Sequence, residues 1–161
     1  MIDRRLFLVA GSAALAAAWS GMSAAAAPAA DPRFRFTPAQ WRKRLSADQY
    51  AVLREEGTER PGSSALLKEK RAGQFACAGC GQPVYSSRTK YESGTGWPSF
   101  WDAVPGAVGT SKDMKIGYER VEVHCKRCGG HLGHIFDDGP KPTGKRHCIN
   151  GLALKFVPGR A

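Results

Sequence analysis

The chain has five cysteines, Cys77, Cys80, Cys125, Cys128 and Cys148, among its 161 residues. Four of them build two copies of one motif, Cys77-Ala-Gly-Cys80-Gly81 and Cys125-Lys-Arg-Cys128-Gly129. Each C-x-x-C turn can offer two sulfurs to one ion, and zinc takes four thiolates tetrahedrally, so the pair reads as a structural zinc site. The glycine after each second cysteine lets the backbone curl beneath the sulfurs. Two rival readings use the same residues. In an oxidising compartment four thiols become two disulfides, and a single C-x-x-C can be a thioredoxin-like redox pair.

Cys148 is the cysteine left over, in Lys145-Arg146-His147-Cys148-Ile149-Asn150-Gly151. A single cysteine is commonly a small buried hydrophobe. Here Arg146 and His147 adjoin it, and cationic neighbours favour the thiolate, the nucleophilic form. Three further segments look like site material. Gly94-Thr95-Gly96-Trp97-Pro98-Ser99-Phe100-Trp101 is a glycine-hinged aromatic loop in which Trp97 could show its indole face to a ligand, with Phe100 or Trp101 covering the core. His131-Leu-Gly-His134-Ile-Phe136 carries two imidazoles, although a lone histidine is more often plain structure than catalyst. Asp137-Asp138-Gly139-Pro140 reads as a turn.

Elements to position these residues follow from local chemistry. Thr37-Pro38 suits a helix start. Ser46-Ala-Asp-Gln49 is a capping box opening a second helix to about Glu55, with Ala47, Tyr50 and Leu53 as its buried stripe. From Gly73 onward the pattern turns to short segments broken by Gly, Pro and Cys. Gln74–Cys77, Pro83–Ser86, Lys115–Cys125 and His147–Val157 read as strands; within the third, Val121, Val123 and Cys125 alternate with Glu122 and His124. The expected fold is therefore mainly β, with antiparallel sheets forming a small barrel-like core, short N-terminal helices and a structural zinc site. A turn-rich chain of this size often needs such a staple.

Residues 1–30 are set apart. A basic start with Arg4-Arg5 leads into an apolar run from Leu6 to Trp19 and then a small-residue stretch, the layout of a signal peptide rather than of a membrane span. Asp3-Arg4-Arg5-Leu6-Phe7-Leu8 also resembles the twin-arginine signal of proteins exported already folded; an ordinary secretory signal is the alternative. Cleavage between Ala26 and Asp31 would leave one domain, 31–161, outside the cytoplasm in the periplasm, with no stable membrane anchor. Removing Asp3, Arg4 and Arg5 lowers the net charge by one, from +10 to +9. Lys and Arg are interspersed with acids, with no run of five like charges, so nucleic acid is not inferred.

Taken in order, the two knuckles, Ser93-Gly-Thr95-Gly96-Trp97-Pro-Ser-Phe100, His131-Leu-Gly-His134-Ile-Phe136, Asp138-Gly-Pro140 and Arg146-His-Cys148-Ile-Asn150-Gly151 resemble the B-type methionine sulfoxide reductases from about Trp41 to Phe156. The resemblance implies reduction of the R epimer of methionine sulfoxide in oxidised proteins. It also implies roles. Cys148 attacks the sulfoxide sulfur and becomes a sulfenic acid. His131 and His134 bind and protonate the oxygen, and Arg146 stabilises the thiolate. Asn150 holds the site in place, while Trp97 and Phe136 serve substrate binding. Many members of the family carry a resolving cysteine where this chain has Thr95. The expected enzyme is thus a monomer with one zinc on Cys77, Cys80, Cys125 and Cys128, regenerated by an external thiol such as a thioredoxin-like protein. The competing functions are a non-catalytic zinc-ribbon binding module and an exported thiol-disulfide oxidoreductase.

Overall fold

The computed structural model describes residues 27–160, so nearly all of the expected export signal lies outside the described residues. Among the described residues a 3₁₀ turn (Pro32–Phe34) leads into two short α-helices, α1 (Pro38–Arg42) and α2 (Ala47–Glu55). Both begin as the sequence suggests: Thr37 and Ser46 cap them, and Gln40 and Gln49 close reciprocal capping boxes. The buried face of α2 is Tyr50, Val52 and Leu53. Ala47, expected in that stripe, is exposed because it lies in the first turn beside the cap.

Nine strands follow among the described residues: β1 (Gly73–Cys77), β2 (Pro83–Ser86), β3 (Lys90–Tyr91), β4 (Ser99–Phe100), β5 (Val108–Asp113), β6 (Arg120–Cys125), β7 (His131–Phe136), β8 (Arg146–Ile149) and β9 (Leu154–Pro158). They form a three-stranded sheet, β2-β1-β9, and a six-stranded sheet, β3-β4-β8-β7-β6-β5, with every pairing antiparallel. The mainly-β expectation holds. Aromatic packing joins the sheets across one core: Phe75 of β1 and Tyr85 of β2 meet Phe100 of β4 at 5.0 and 4.4 Å between ring centroids.

Two expected strands are cut short, each for a local reason. Lys115–Cys125 is strand only from Arg120. Residues 114–119 form the β5–β6 turn, where the Gly117 amide bonds the Met114 carbonyl and Met114, Ile116 and Tyr118 are exposed. The His147–Val157 segment breaks after Ile149, where Gly151–Ala153 form a 3₁₀ turn and the chain passes to the other sheet. The break is held from outside: the buried Glu59 carboxylate accepts the Gly151 amide at 2.5 Å and the Leu152 amide at 3.1 Å. Among the described residues no helix is long and apolar enough to cross a membrane.

Candidate functional site

The four knuckle sulfurs converge. Cys77, Cys80, Cys125 and Cys128 place their Sγ atoms within 4.8 Å of one another, with Cys77–Cys128 at 3.6 Å and Cys80–Cys125 at 3.5 Å. A tetrahedron of zinc–sulfur bonds about 2.3 Å long has edges of roughly 3.8 Å, so the donors fit Zn²⁺ in both chemistry and spacing. Sulfur pairs at these separations are not disulfides, which close to about 2.05 Å. The two knuckles are copies in structure too. Gly81 and Gly129 take left-handed conformations (φ 73° and 68°), and their amides bond the Cys77 and Cys125 carbonyls at 2.8 Å each. Cys77 ends β1 and Cys125 ends β6, so the metal site staples one sheet to the other.

The reactive face is a consequence of sheet register. Glu122 of β6, His134 of β7, Cys148 of β8 and Ser99 of β4 stand directly opposite one another in successive pairings. Because strand side chains alternate with period two, the residues two positions along share that face: Asp113 and Arg120 pair on one side, Phe136 and Arg146 on the other. Cys148 thus sits mid-sheet, half-buried, with an imidazole on the adjacent strand. Gly133 permits the closeness of β7 and β8, since a Cβ there would meet the Cys148 carbonyl oxygen at 2.0 Å.

A spacing of three ought to send His131 and His134 to opposite faces of a strand. A bulge prevents this: in the step from Val123 to His124 on β6, β7 advances two residues, from Gly133 back to His131. The two rings end 5.3 Å apart, edge to face. Each has its own carboxylate. His131 Nδ1 lies 2.9 Å from Glu122 Oε1, and His134 Nε2 lies 2.7 Å from Asp113 Oδ2, which also takes Arg120 Nη2 at 2.6 Å. His131 Nε2 is buried with no hydrogen-bond partner among the described residues. Val123 and Cys125 are buried as the alternation of β6 suggests, but Val121 is exposed near the strand's start, and Glu122 on the other face is buried against the two histidines.

Trp97, Phe136, Arg120, His134, Cys148 and Asn150 enclose a cavity of about 130 Å³ that opens past Thr58. Trp97 is held there by its indole N–H, which donates to the Glu59 carbonyl at 3.1 Å. Asn150 is a clamp: its Oδ1 accepts the Glu59 amide at 3.0 Å and its Nδ2 donates to the Leu132 carbonyl at 3.1 Å. Arg146 lies over the Phe136 ring at 4.5 Å and bonds Asp138 through two nitrogens, at 2.8 and 2.9 Å. All seven expected site residues outside the knuckles therefore come together, with His131 behind the cavity rather than on its wall.

Electrostatics define what this arrangement can do. Burial pushes the Cys148 thiol above its ordinary value, while Arg146 and the Thr95 hydroxyl, 4.0 Å from Sγ, pull it back part of the way. Burial also takes His134 below the usual imidazole value, against the hydrogen bond it donates to Asp113. Burial opposes ionisation of Asp113 itself, but the Lys115 amide, His134 and Arg120 outweigh it and hold that carboxyl at about 2. His147 does not share in activating the thiol as its position in sequence suggested. It faces the core, with Nδ1 3.1 Å from the Tyr85 hydroxyl, and burial holds its pKa down, favouring the neutral ring. A thiol and a carboxylate-backed imidazole across one small apolar pocket can deliver a sulfur nucleophile and a proton to the same bound molecule.

Sequence reasoning missed Glu59, Asp113, Arg120 and Glu122, and read Asp138 only as part of a turn. Carboxylates at strand ends and in loops look like solvated charge; their partners lie 7 to 92 positions away and meet them only through sheet register and loop closure.

The SelR domain matches this chain over residues 45–158. A protein of Leptospira interrogans named peptide methionine sulfoxide reductase MsrB is 53% identical over 117 residues, covering 72% of this chain and 89% of that protein. A protein of the same name from Methanosarcina barkeri is 53% identical over 118 residues, 73% of this chain and 83% of its own. Another, from Agrobacterium fabrum, is 46% identical over 128 residues, covering 79% and 95%.

Proposed function

The chain belongs to the SelR-domain family of B-type peptide methionine sulfoxide reductases, and on that premise we propose how its own residues carry the reaction. The activity is reduction of the R epimer of methionine sulfoxide in proteins to methionine, at the expense of a thiol reductant. The Cys77, Cys80, Cys125 and Cys128 site is structural: zinc there ties the sheets and takes no part in the chemistry.

One observation carries the assignment of roles: Cys148 and His134 face each other across adjacent strands inside the pocket that Trp97 and Phe136 line. Trp97 and Phe136 hold the methyl and thioether portion of the side chain by apolar contact. The sulfoxide oxygen turns toward the imidazoles, where Asp113 and Glu122 keep each ring's bonded nitrogen engaged and leave the other for the substrate. Thiolate Cys148 attacks the sulfoxide sulfur as the oxygen is protonated. The protonated oxygen passes to the Cys148 sulfur as its bond to the substrate sulfur and the sulfur–sulfur contact break, so methionine leaves and Cys148 remains as a sulfenic acid. Arg146, fixed by Asp138 and Phe136, favours the thiolate. Asn150 acts through position alone, holding the Glu59 loop against β7.

With four cysteines on metal and Thr95 beside Cys148, the enzyme uses one cysteine and an external thiol, such as a thioredoxin-like protein, to return it to the thiol. It works as a monomer exported to the periplasm. The export reading rests on the Arg4-Arg5 start, the apolar run and the small-residue stretch over residues 1–30. Arg4→Lys together with Arg5→Lys should leave the full-length chain in the cytoplasmic fraction if the twin-arginine reading holds; unchanged export contradicts it.

The reaction itself is tested by presenting zinc-loaded protein with the separate R and S epimers of a methionine sulfoxide peptide. Wild type turns over only the R epimer, and Cys148→Ser turns over neither. Turnover by Cys148→Ser would overturn the assignment.

A further inference from the structure

Two clefts flank Cys148, and the strand order places them on opposite sides of it. The substrate pocket lies toward β7 and β6, with His134, Phe136 and Arg120. The second, about 380 Å³ and open to solvent, lies toward β3 and the loop before β4; Tyr91, Glu92, Thr95, Asp138, Pro140 and Arg146 line it. Thr95 both lines this cleft and touches Cys148 Sγ, so one small side chain forms the wall between cleft and sulfur. The Arg146–Phe136 stack divides the two spaces, with Arg146 on one side and Phe136 on the other.

We propose that the second cleft is the docking site for the thiol reductant, whose sulfur reaches Cys148 past Thr95. The inference rests on the reading of Cys148 as the nucleophile and adds where its regeneration takes place. Displacement at a divalent sulfur runs in line, so the entering thiolate approaches opposite the departing oxygen. That oxygen arrives on the substrate side and stays beside the imidazoles. The step forms a sulfur–sulfur bond between Cys148 and the reductant and breaks the Cys148 sulfur–oxygen bond; hydroxide leaves with a proton from the imidazole side as water. A second thiolate of the reductant then attacks the reductant's own sulfur in the mixed disulfide, forms the reductant's disulfide and frees Cys148 as thiolate. Leaving group and proton donor thus occupy one cleft and the entering sulfur the other. The Arg146 guanidinium at the cleft wall favours an arriving thiolate, and its bond to Asp138 keeps it in place.

Glu92 and Pro140 are exposed on opposite rims of this cleft and outside the substrate pocket, whereas Thr58 is exposed on the rim of the substrate pocket. These positions allow a double dissociation. Methionine release is followed in a single turnover of R-sulfoxide peptide without reductant. Regeneration of the sulfenic acid is then followed separately with dithiothreitol and with a thioredoxin. Glu92→Trp and Pro140→Trp should leave methionine release unchanged and slow regeneration by thioredoxin at least tenfold, with a smaller loss for the compact dithiothreitol. Thr58→Trp should show the reverse, slower release with unchanged regeneration. Wild-type regeneration in both rim variants, or slowed regeneration in Thr58→Trp alone, overturns the proposal. Absence of methionine release from wild type would instead overturn the reductase reading, so the two failures are told apart.

Discussion

The chain keeps its sulfurs in two environments that differ in nearly every respect. At the knuckles, Cys77, Cys125 and Cys128 are at most 1% exposed, and the four sulfurs sit at the junction of two sheets with backbone amides and left-handed glycines closing the turns. Cys148 stands in the middle of one strand, half-buried, on the wall of the substrate pocket and outside the cluster of four, with Thr95 between its sulfur and a second cleft. The first arrangement gives thiolates nothing to attack and a metal to hold. The second gives a thiol a pocket, a proton donor and a cation. The same residue type does structural or chemical work according to whether its neighbours enclose it or leave it a route.

Removing a sulfur should cost the fold in the first environment and only the chemistry in the second. Cys77→Ser or Cys128→Ser should forfeit metal and fold together, because structural zinc sites bind with about 10–16 kcal/mol, comparable to a whole domain's stability. Circular dichroism and metal analysis would show an unfolded, metal-free chain. Cys148→Ser should keep one zinc per chain and the wild-type melting curve while losing turnover entirely. A folded, active knuckle variant would contradict the structural role.

Next in size is the proton donor. His134→Gln should lower kcat/KM by roughly 10²–10⁴ with zinc content unchanged. A loss below about threefold would place the proton elsewhere, with His131 the remaining imidazole. Asn150→Ala tests position without chemistry. It leaves the Glu59 amide and Leu132 carbonyl without this partner, at a cost of about 1–3 kcal/mol in urea unfolding, and lowers activity through loosening of the Trp97 wall.

The finest effect is on pH. The reacting form needs Cys148 ionised and His134 protonated, yet burial raises the first pKa and lowers the second. Both groups are then in their reactive states in only a small fraction of molecules. The rate of the first half-reaction should be flat between the two pKa values and fall at both ends, with the acid limb set by His134 and the alkaline limb by Cys148. Asp113 raises the His134 pKa, so Asp113→Asn should move the acid limb lower and slow the plateau. Arg146 lowers that of Cys148, so Arg146→Met should move the alkaline limb higher. Shifts in the opposite directions would contradict the assignment.

What the sequence disclosed and what it withheld divides along the same line. The knuckles and both capping boxes were legible because every determinant lies within a few residues: Ser46 speaks to Gln49, and Cys77 to Cys80 and Gly81. Cys148, Trp97 and the two histidines stood out by type and company. Their arrangement did not. The bulge in β7 that brings His131 beside His134 has no signature in His-Leu-Gly-His, and it delivers His131 to Glu122, a residue that alternation suggested was solvated. Glu59, 92 residues from the amide it accepts, could be recognised only after the 3₁₀ turn at Gly151 had folded. His147 was misjudged because adjacency in a strand means opposite faces, and its neighbour in space is Tyr85.

Whether Cys148 reacts alone is decided by intact mass and peptide mapping of zinc-loaded enzyme after exposure to excess R-sulfoxide peptide without reductant. A lone nucleophile releases one methionine per chain, gains one oxygen atom at Cys148 that dimedone traps there, and leaves the four knuckle cysteines on zinc. An intramolecular disulfide joining Cys148 to a knuckle cysteine, with zinc expelled, would contradict it.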